Sequence, residues 1–452
     1  MVKDMTEGKP LRLMVNFSIP LLLGNALQMA YAIADSAVLG RVLGVNAFAS
    51  VGASVSMQWF VLSLVLGTTQ GFGVIAGQRF GAGDLQGLRR ALSTSAYLSL
   101  GLGMSIGAAG IMGSGAMLRL LNTPPELLGG SIIYVGFVMG GLPLTFIYNM
   151  LGFSLFALGD SKSPLKAMII SSLVNIALDF ALVAPFGIAG VAAATPLAQS
   201  AACVFSWAAL RKTGFLKGGR FRPDAASARA LLRIGLPLGL RNAVIEVGGL
   251  AIQRYVNNYG VEFVAGVAAA KRMYGLLMIF GGAIEAAAAT FVAQNFGAGL
   301  QARVKRGVRG GLVLAMASSA LIMAIVLPFG RAILSLLVEG EPAQIAVVLD
   351  AGSRQLSMLA LGLPVLSLLF LYRSALQGVG NALIPMLSGF LELAVRISVL
   401  LFLTGALGET SVLLAECAGW APAAMLLLAS YYYAAHKAGF GGKPDNGAAF
   451  RN

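Results

Sequence analysis

The stretch Ala76-Gly77-Gln78-Arg79-Phe80-Gly81-Ala82-Gly83 returns 216 residues later as Val292-Ala293-Gln294-Asn295-Phe296-Gly297-Ala298-Gly299. Two further landmarks repeat in the same order. Ile19-Pro20-Leu21 followed by Asn25 is echoed 217 residues on by Leu236-Pro237-Leu238 followed by Asn242. Ala157-Leu158-Gly159-Asp160 with Pro164 is echoed 221 residues on by Gly378-Val379-Gly380-Asn381 with Pro385. Matched landmarks at a nearly constant offset mark an internal duplication. The expected organisation is an N-terminal half over 1–210, a C-terminal half over 234–452, and a basic linker over 211–233 that contains Gly214, Gly218, Gly219 and Pro223.

Composition says what is duplicated. Of 452 residues, 58% are hydrophobic and 11% charged, whereas a soluble globular chain carries about 25% charged residues. Apolar runs fall at 16–38, 50–76, 91–113, 130–156, 164–184, 188–210, 234–257, 265–292, 308–330, 354–376, 384–404 and 411–434. Each approaches the roughly 20 residues that cross a hydrocarbon core. The predicted fold is an all-α integral membrane protein with twelve transmembrane helices in two six-helix bundles. Six is even, so both halves enter from one side and are related by a pseudo-two-fold axis along the membrane normal. The first apolar run follows Arg12 with no cleavage site, and it reads as a span rather than a signal peptide.

The net charge is +14, and its placement excludes a nucleic-acid footprint. Lys and Arg gather in alternate loops, at Lys3, Lys9 and Arg12, at Arg79, Arg89 and Arg90, through 211–233, at 303–309 and in the C-terminal tail. The intervening loops hold few: Arg41, Arg119, Arg331, Arg354, and Lys271 with Arg272. Positive charge marks the cytoplasmic side, so both termini are expected in the cytoplasm of an inner or plasma membrane. The expected macromolecular partner is the lipid bilayer, with anionic lipids at the basic loops, and the chain is expected to be monomeric.

Enzyme chemistry finds no footing in the residues. Cys203 and Cys417 lie in apolar runs and read as small buried side chains. A single histidine, His436, builds neither a zinc site nor a triad. The two Gly-Ala-Gly segments lack the Lys-Ser/Thr ending of a phosphate loop and read as tight turns. No cofactor is expected. Trp420 and the tyrosines 431–433 fit an interfacial aromatic belt as well as a drug pocket.

Ionisable groups inside lipid are functional candidates. Ser18, Asn25, Gln28, Tyr31 and Asp35 fall on one face of the first helix, and Pro20 offers a bend. Asn175 and Asp179 share a face at i, i+4, and Asn149 sits in the preceding helix. Two carboxylates among amide oxygens can hold Na+, or one can carry a proton once desolvated.

The run Tyr31-Ala32-Ile33-Ala34-Asp35-Ser36, then Gly40-Arg41-Val42-Leu43-Gly44, resembles the first helix of the multidrug and toxic compound extrusion (MATE) transporters. So do the duplicated Gln-x-Phe-Gly-Ala-Gly motif and the segment Leu158-Gly159-Asp160-Ser161-Lys162-Ser163-Pro164. Asn175-Ile176-Ala177-Leu178-Asp179 and 187–195 match as well, and the likeness runs from about Pro10 to Ala435 and resembles the branch of the DNA-damage-inducible F proteins. The resemblance implies that Asp35, Asn149, Asn175, Asp179 and Thr195 form an N-lobe cation site for H+ or Na+, with a Na+ ion at Asp35, Asn175 and Asp179. It implies an antiporter that exports amphipathic or cationic organic compounds by alternating access, and the confinement of this set to one half favours protons.

The C-terminal half is less regular. Glu246 matches a position where part of the family carries an acidic cation ligand, but Tyr372-Arg373-Ser374 stands where its acidic partner would be. Arg241, Arg254 and Arg373 are candidate partners for Glu246. Glu392 and Arg396 form an i, i+4 pair with the acid first, the better orientation, and read as a structural or gating contact. Glu285 and Glu416 receive no role. The arginines also leave open a flippase for a lipid-linked saccharide, whose pyrophosphate needs cationic walls.

Overall fold

The chain is helical from end to end: α1 (Pro10–Gly81), α2 (Leu85–Leu120), α3 (Pro125–Gly140), α4 (Leu142–Ala157), α5 (Lys162–Lys212), α6 (Ala225–Val256), α7 (Val261–Gly297), α8 (Gln301–Ser335), α9 (Pro342–Gly378), α10 (Leu383–Phe402), the single turn α11 (Thr404–Leu407) and α12 (Glu409–Lys437). The structure, a computed structural model, describes residues 2–216, 222–338 and 341–437, and within α1 it leaves the side chains of 30–41 and 45 undescribed. No strand occurs among the described residues.

At 72 and 51 residues, α1 and α5 are too long for one crossing, because about 20 residues at ~1.5 Å each span the hydrocarbon. Glycine breaks both, at Gly44 (φ 80°, ψ −175°) and at Gly187 (φ 57°, ψ −133°). α3 and α4 make one bent crossing, with 47° between them at Gly141. A Cβ on Gly141 would lie 2.5 Å from Cβ of Pro196, so glycine lets the bend press against α5. Divided at these points, the described chain has twelve long helical segments, six before residue 217 and six after 221.

Among the described residues, nine helical segments, two of them within α1, are long and apolar enough to cross a membrane, or ten with the bent pair. The difference from twelve has physical causes. α5 counts once although Gly187 divides it, and α6 falls short because Arg241, Asn242 and Glu246 sit near its middle. Large apolar side chains on the outside suit lipid: Met104, Met112, Leu173, Phe180 and Phe186 are all exposed. The chain is a multi-pass membrane protein.

The duplication reaches the backbone. Left-handed glycines recur in pairs at the repeat offsets: Gly44 with Gly260, Gly83 with Gly299, Gly159 with Gly380, and Gly187 with Gly408. The last pair agrees closely, φ 57° and ψ −133° against φ 54° and ψ −134°. Only glycine takes that conformation without strain, so each half turns the chain at the same place by the same means.

Contacts divide the chain into two compact units, Met1–Met5 with Ile19–Gly239, and Thr6–Ser18 with Leu240–Asn452. The division falls inside α6, beyond the segment 211–233 expected as a linker. The described flanks of that segment are tied down: Arg89 Nε donates to Phe215 O (2.7 Å), Ser93 Oγ to Arg222 O (3.0 Å), and Asp224 N–H to Thr94 Oγ1 (3.1 Å).

In the first unit, Phe72, Leu88, Leu92, Met150, Leu155, Leu158 and Leu231 form a buried core. Backbones close on one another through small residues. A Cβ on Gly71 would lie 2.5 Å from Cα of Gly235, and one on Gly67 would lie 2.7 Å from Cα of Gly239. Two glycines four apart on each helix let dispersion and Cα–H contacts hold helices in lipid, where no hydrophobic drive separates them from the solvent. In the second unit the corresponding core is Ile252, Phe263, Val267, Val399, Leu400 and Leu413. The opening turns of α1 join it, with Ser18 Oγ donating to Ala283 O (3.3 Å).

The turns between spans are capped by side chains. Asp84 Oδ1 accepts from Gly87 N–H (2.8 Å), and Asp160 Oδ1 accepts from the N–H groups of Lys162 (3.1 Å) and Ser163 (3.0 Å). At the equivalent position in the second half, Asn381 Oδ1 accepts from Ile384 N–H (3.2 Å). Burial acts to raise the Asp160 carboxyl, but hydrogen bonds, including those from the Ser163 hydroxyl and N–H, outweigh it and hold it below its ordinary value.

Candidate functional site

The first unit gathers its polar groups around the Gly187 break. Asn175 and Asp179 lie one turn apart on the segment before the break, and both are buried, Asp179 completely. Thr195 lies on the segment after it, and Asn175 Nδ2 donates to Thr195 Oγ1 (3.4 Å). The break doubles the chain back tightly enough that a Cβ on Gly190 would lie 2.6 Å from the carbonyl carbon of Leu182. An amide and a hydroxyl thus meet from two helical segments, with a buried carboxyl one turn along from the amide. Hard oxygen donors of this kind suit Na+, and a desolvated carboxyl suits a proton.

Asn149 stands differently. Its Nδ2 donates to Thr145 O of its own helix (2.8 Å), while Thr145 Oγ1 donates to Gln199 Oε1 (2.7 Å) and ties α4 to α5. Gln28 is exposed, and Asn25 half-buried, on the face of α1 where Gly24 packs on Met168. The side chains of Asp35 and Tyr31 lie outside the described residues. Among the described residues no three His, Cys, Asp or Glu side chains group as a metal site.

The second unit holds charge of both signs in its interior. Glu392 of α10 is buried and bridges two buried guanidiniums: Arg373 of α9 donates to Oε1 through Nη2, and Arg396 Nη2 lies 3.6 Å from Oε2. Arg373 Nη2 also donates to Ser388 Oγ (3.3 Å), and Arg396 Nη1 to Ile245 O (3.5 Å). The i, i+4 pair therefore forms the longer arm of a bridge that ties α6, α9 and α10. Arg373, which the sequence flagged as an intruder in an acidic position, is the close partner of that bridge.

Glu246 is half-buried and makes no ion pair with Arg241, Arg254 or Arg373 among the described residues. The charges acting on it are those of Arg396 and Glu416. Lys271 Nζ donates to Gln253 Oε1 (3.2 Å) and feels Glu416 and Arg396. Tyr274 stacks on Trp420, 6.3 Å between ring centroids, which makes Trp420 a buried packing residue. Tyr372, Tyr431 and Tyr432 cluster with centroids 5.3–6.0 Å apart, and of these Tyr432 is exposed. Arg241 is buried, with its Cγ where a side chain on Gly389 would be, and both Nε (3.0 Å) and Nη2 (2.6 Å) donate to Asn242 Oδ1.

With this geometry in place, comparison with known proteins supplies the relationship. The chain matches the MatE family profile over residues 20–181 and 237–401. It is 33% identical over 304 residues to the probable multidrug resistance protein YpnP of Bacillus subtilis (strain 168), covering 67% of this chain and 68% of that protein. It is 28% identical over 348 residues to the probable multidrug resistance protein YoeA of the same strain, covering 74% and 75%. Among solved structures, a MOP superfamily transporter from Pyrococcus furiosus Vc1 (DSM3638) superposes with a TM-score of 0.88 at 21% identity, covering 96% of this chain and 97% of that one. At that identity the likeness speaks for the fold.

Proposed function

Because the chain belongs to the multidrug and toxic compound extrusion family, whose members are transporters and not enzymes, we propose that it is a multidrug exporter. It exchanges a cation for an amphipathic or cationic organic compound by alternating access. The names of its Bacillus relatives as probable multidrug resistance proteins support this substrate class. The two compact units serve as N-lobe and C-lobe in an inner or plasma membrane, with both termini in the cytoplasm and one chain as the working unit.

The observation that carries the reading is the cluster of Asp179, Asn175 and Thr195 across the Gly187 break. A cation bound there touches two helical segments at once, so its affinity depends on their relative setting. That dependence is what coupling requires, since a ligand that binds both states equally shifts neither. Asp35 completes the set by the family resemblance. A proton is the favoured ion, because the candidate set is confined to the first unit and Arg373 stands where an acidic partner of Glu246 would be in the second.

The flippase alternative needs a net positive wall. The buried or half-buried side chains of the second unit include Arg241, Lys271, Arg373 and Arg396 but also Glu246, Glu285, Glu392 and Glu416, a mixed set that supports the exporter reading over it. The test is efflux of a cationic dye from proteoliposomes. Export driven by an imposed proton gradient, and lost in Asp179→Asn and Asp35→Asn at equal reconstitution, is expected. Drive by a sodium gradient alone would make the same residues a metal-ion site, and no dye movement under either gradient would sink the multidrug reading.

A further inference from the structure

Arg241 is the group in the second unit that this function leaves unused. It lies near the middle of α6, is 96% buried, and has no carboxylate within ion-pair distance among the described residues. Its fork is filled by a neutral atom: Nε and Nη2 both close on Asn242 Oδ1, at 3.0 and 2.6 Å. Nη1 is buried with no hydrogen-bond partner. A guanidinium held in a membrane helix by one amide oxygen is under-compensated, because the fork matches a carboxylate in both geometry and charge. The neighbouring charges do not supply one. Arg373 is a like charge acting on Arg241, Glu392 is taken by Arg373 and Arg396, and Glu285 acts from beyond ion-pair distance.

The charges that act on Arg241 are those of Arg373, Glu285 and Glu392, which with its own make two of each sign, so an added anion must bring its own positive charge. Glu285 retains partial exposure and is in no close ion pair among the described residues. We propose that Arg241 is the carboxylate subsite for amphipathic zwitterions, in which a substrate carboxylate takes the place of Asn242 Oδ1 in the guanidinium fork while its ammonium faces Glu285. The site adds a second class of cargo to the exporter and rests on the transport reading above.

The experiment uses the full chain in detergent and two probes: rhodamine B, which carries a free carboxylate, and its ethyl ester, which carries none. Binding is read by fluorescence anisotropy, against wild type, Arg241→Gln and Arg241→Lys. Wild type is expected to bind the acid about tenfold more tightly than the ester, the scale of one charge-assisted bidentate contact. Arg241→Gln abolishes that preference and leaves ester binding unchanged, and Arg241→Lys retains part of it, since a point charge lacks the fork. Equal binding of acid and ester by wild type overturns the proposal without any variant, so a poorly folded variant cannot hide the answer. A preference that survives in Arg241→Gln overturns it too, as does displacement of rhodamine B by phosphatidylglycerol that depends on Arg241, which would make the occupant a lipid headgroup. Failure of the ester to bind at all would instead count against the multidrug reading.

Discussion

The two halves share a backbone and differ in their chemistry. Gly187 and Gly408 turn the chain within a few degrees of each other, and Asp160 and Asn381 cap equivalent helices. Yet the first unit buries the carboxyl of Asp179 one turn from Asn175, while the second sets Glu392 between two arginines with further charges around it. Duplication explains the shared scaffold. The divergence lies in the side chains: a carboxylate between two buried guanidiniums acts as a staple, whereas the buried carboxyl of Asp179 is the one proposed to couple to the cation.

The largest expected effect tests that division of labour. Asp179→Asn should lower cation-coupled efflux by roughly 10- to 100-fold, the usual range of a coupling free energy, whereas Glu246→Gln should leave it within about twofold. Proteoliposome efflux at matched protein density measures both, and equal losses would erase the distinction between the halves.

Stability should show the reverse asymmetry. Glu392→Gln strands two buried guanidiniums and should cost about 3–5 kcal/mol, whereas the double replacement Arg373→Met with Glu392→Met should be close to neutral. Asn175→Ala should cost only ~1 kcal/mol, the worth of one neutral hydrogen bond. Thermal unfolding in detergent ranks the three, and a harmless Glu392→Gln would contradict the staple.

The shared scaffold makes a symmetrical prediction. Gly187→Ala and Gly408→Ala should each destabilise by about 1–3 kcal/mol, because alanine is strained at that φ. Unequal costs would mean that the two breaks are equivalent only in outline.

The smallest effect separates the two caps. Asp160 sits below its ordinary value in the folded chain, so its contribution is complete above the unfolded carboxyl value of about 3.9 and is lost as pH falls through the lowered folded value. Asn381 does not titrate. Asp160→Asn should therefore flatten the acid limb of the stability profile below about pH 4, and Asp160→Ala should cost ~1 kcal/mol at neutral pH. An unchanged acid limb in Asp160→Asn would remove this difference between the caps.

Much of the fold could be read in advance because its signals are local or periodic. Apolar runs gave the crossings, and Gln78 to Gly83 repeated at Gln294 to Gly299 exposed the duplication. The same offset of 221 that links Gly159 to Gly380 also links Gly187 to Gly408, a signal present in the sequence but visible only once both glycines are seen to share a conformation. What was not legible depended on distant packing. The bend at Gly141 packs against Pro196, where a Cβ on residue 141 would lie 2.5 Å from the proline Cβ. The Asn149 amide turns back onto Thr145 O, a choice no spacing rule encodes. At the charged centre, Glu392 and Arg396 were recognised as a pair from their spacing, but the closer partner Arg373 is 19 residues away on another helix. Local periodicity finds faces, and it does not find which face meets which.

The most direct test is dye efflux from proteoliposomes under a proton gradient, comparing wild type with Asp179→Asn. Proton-driven export that disappears in the variant, while dye binding persists, is the expected result. Undiminished proton-driven export by Asp179→Asn would contradict it and move the coupling site elsewhere in the chain.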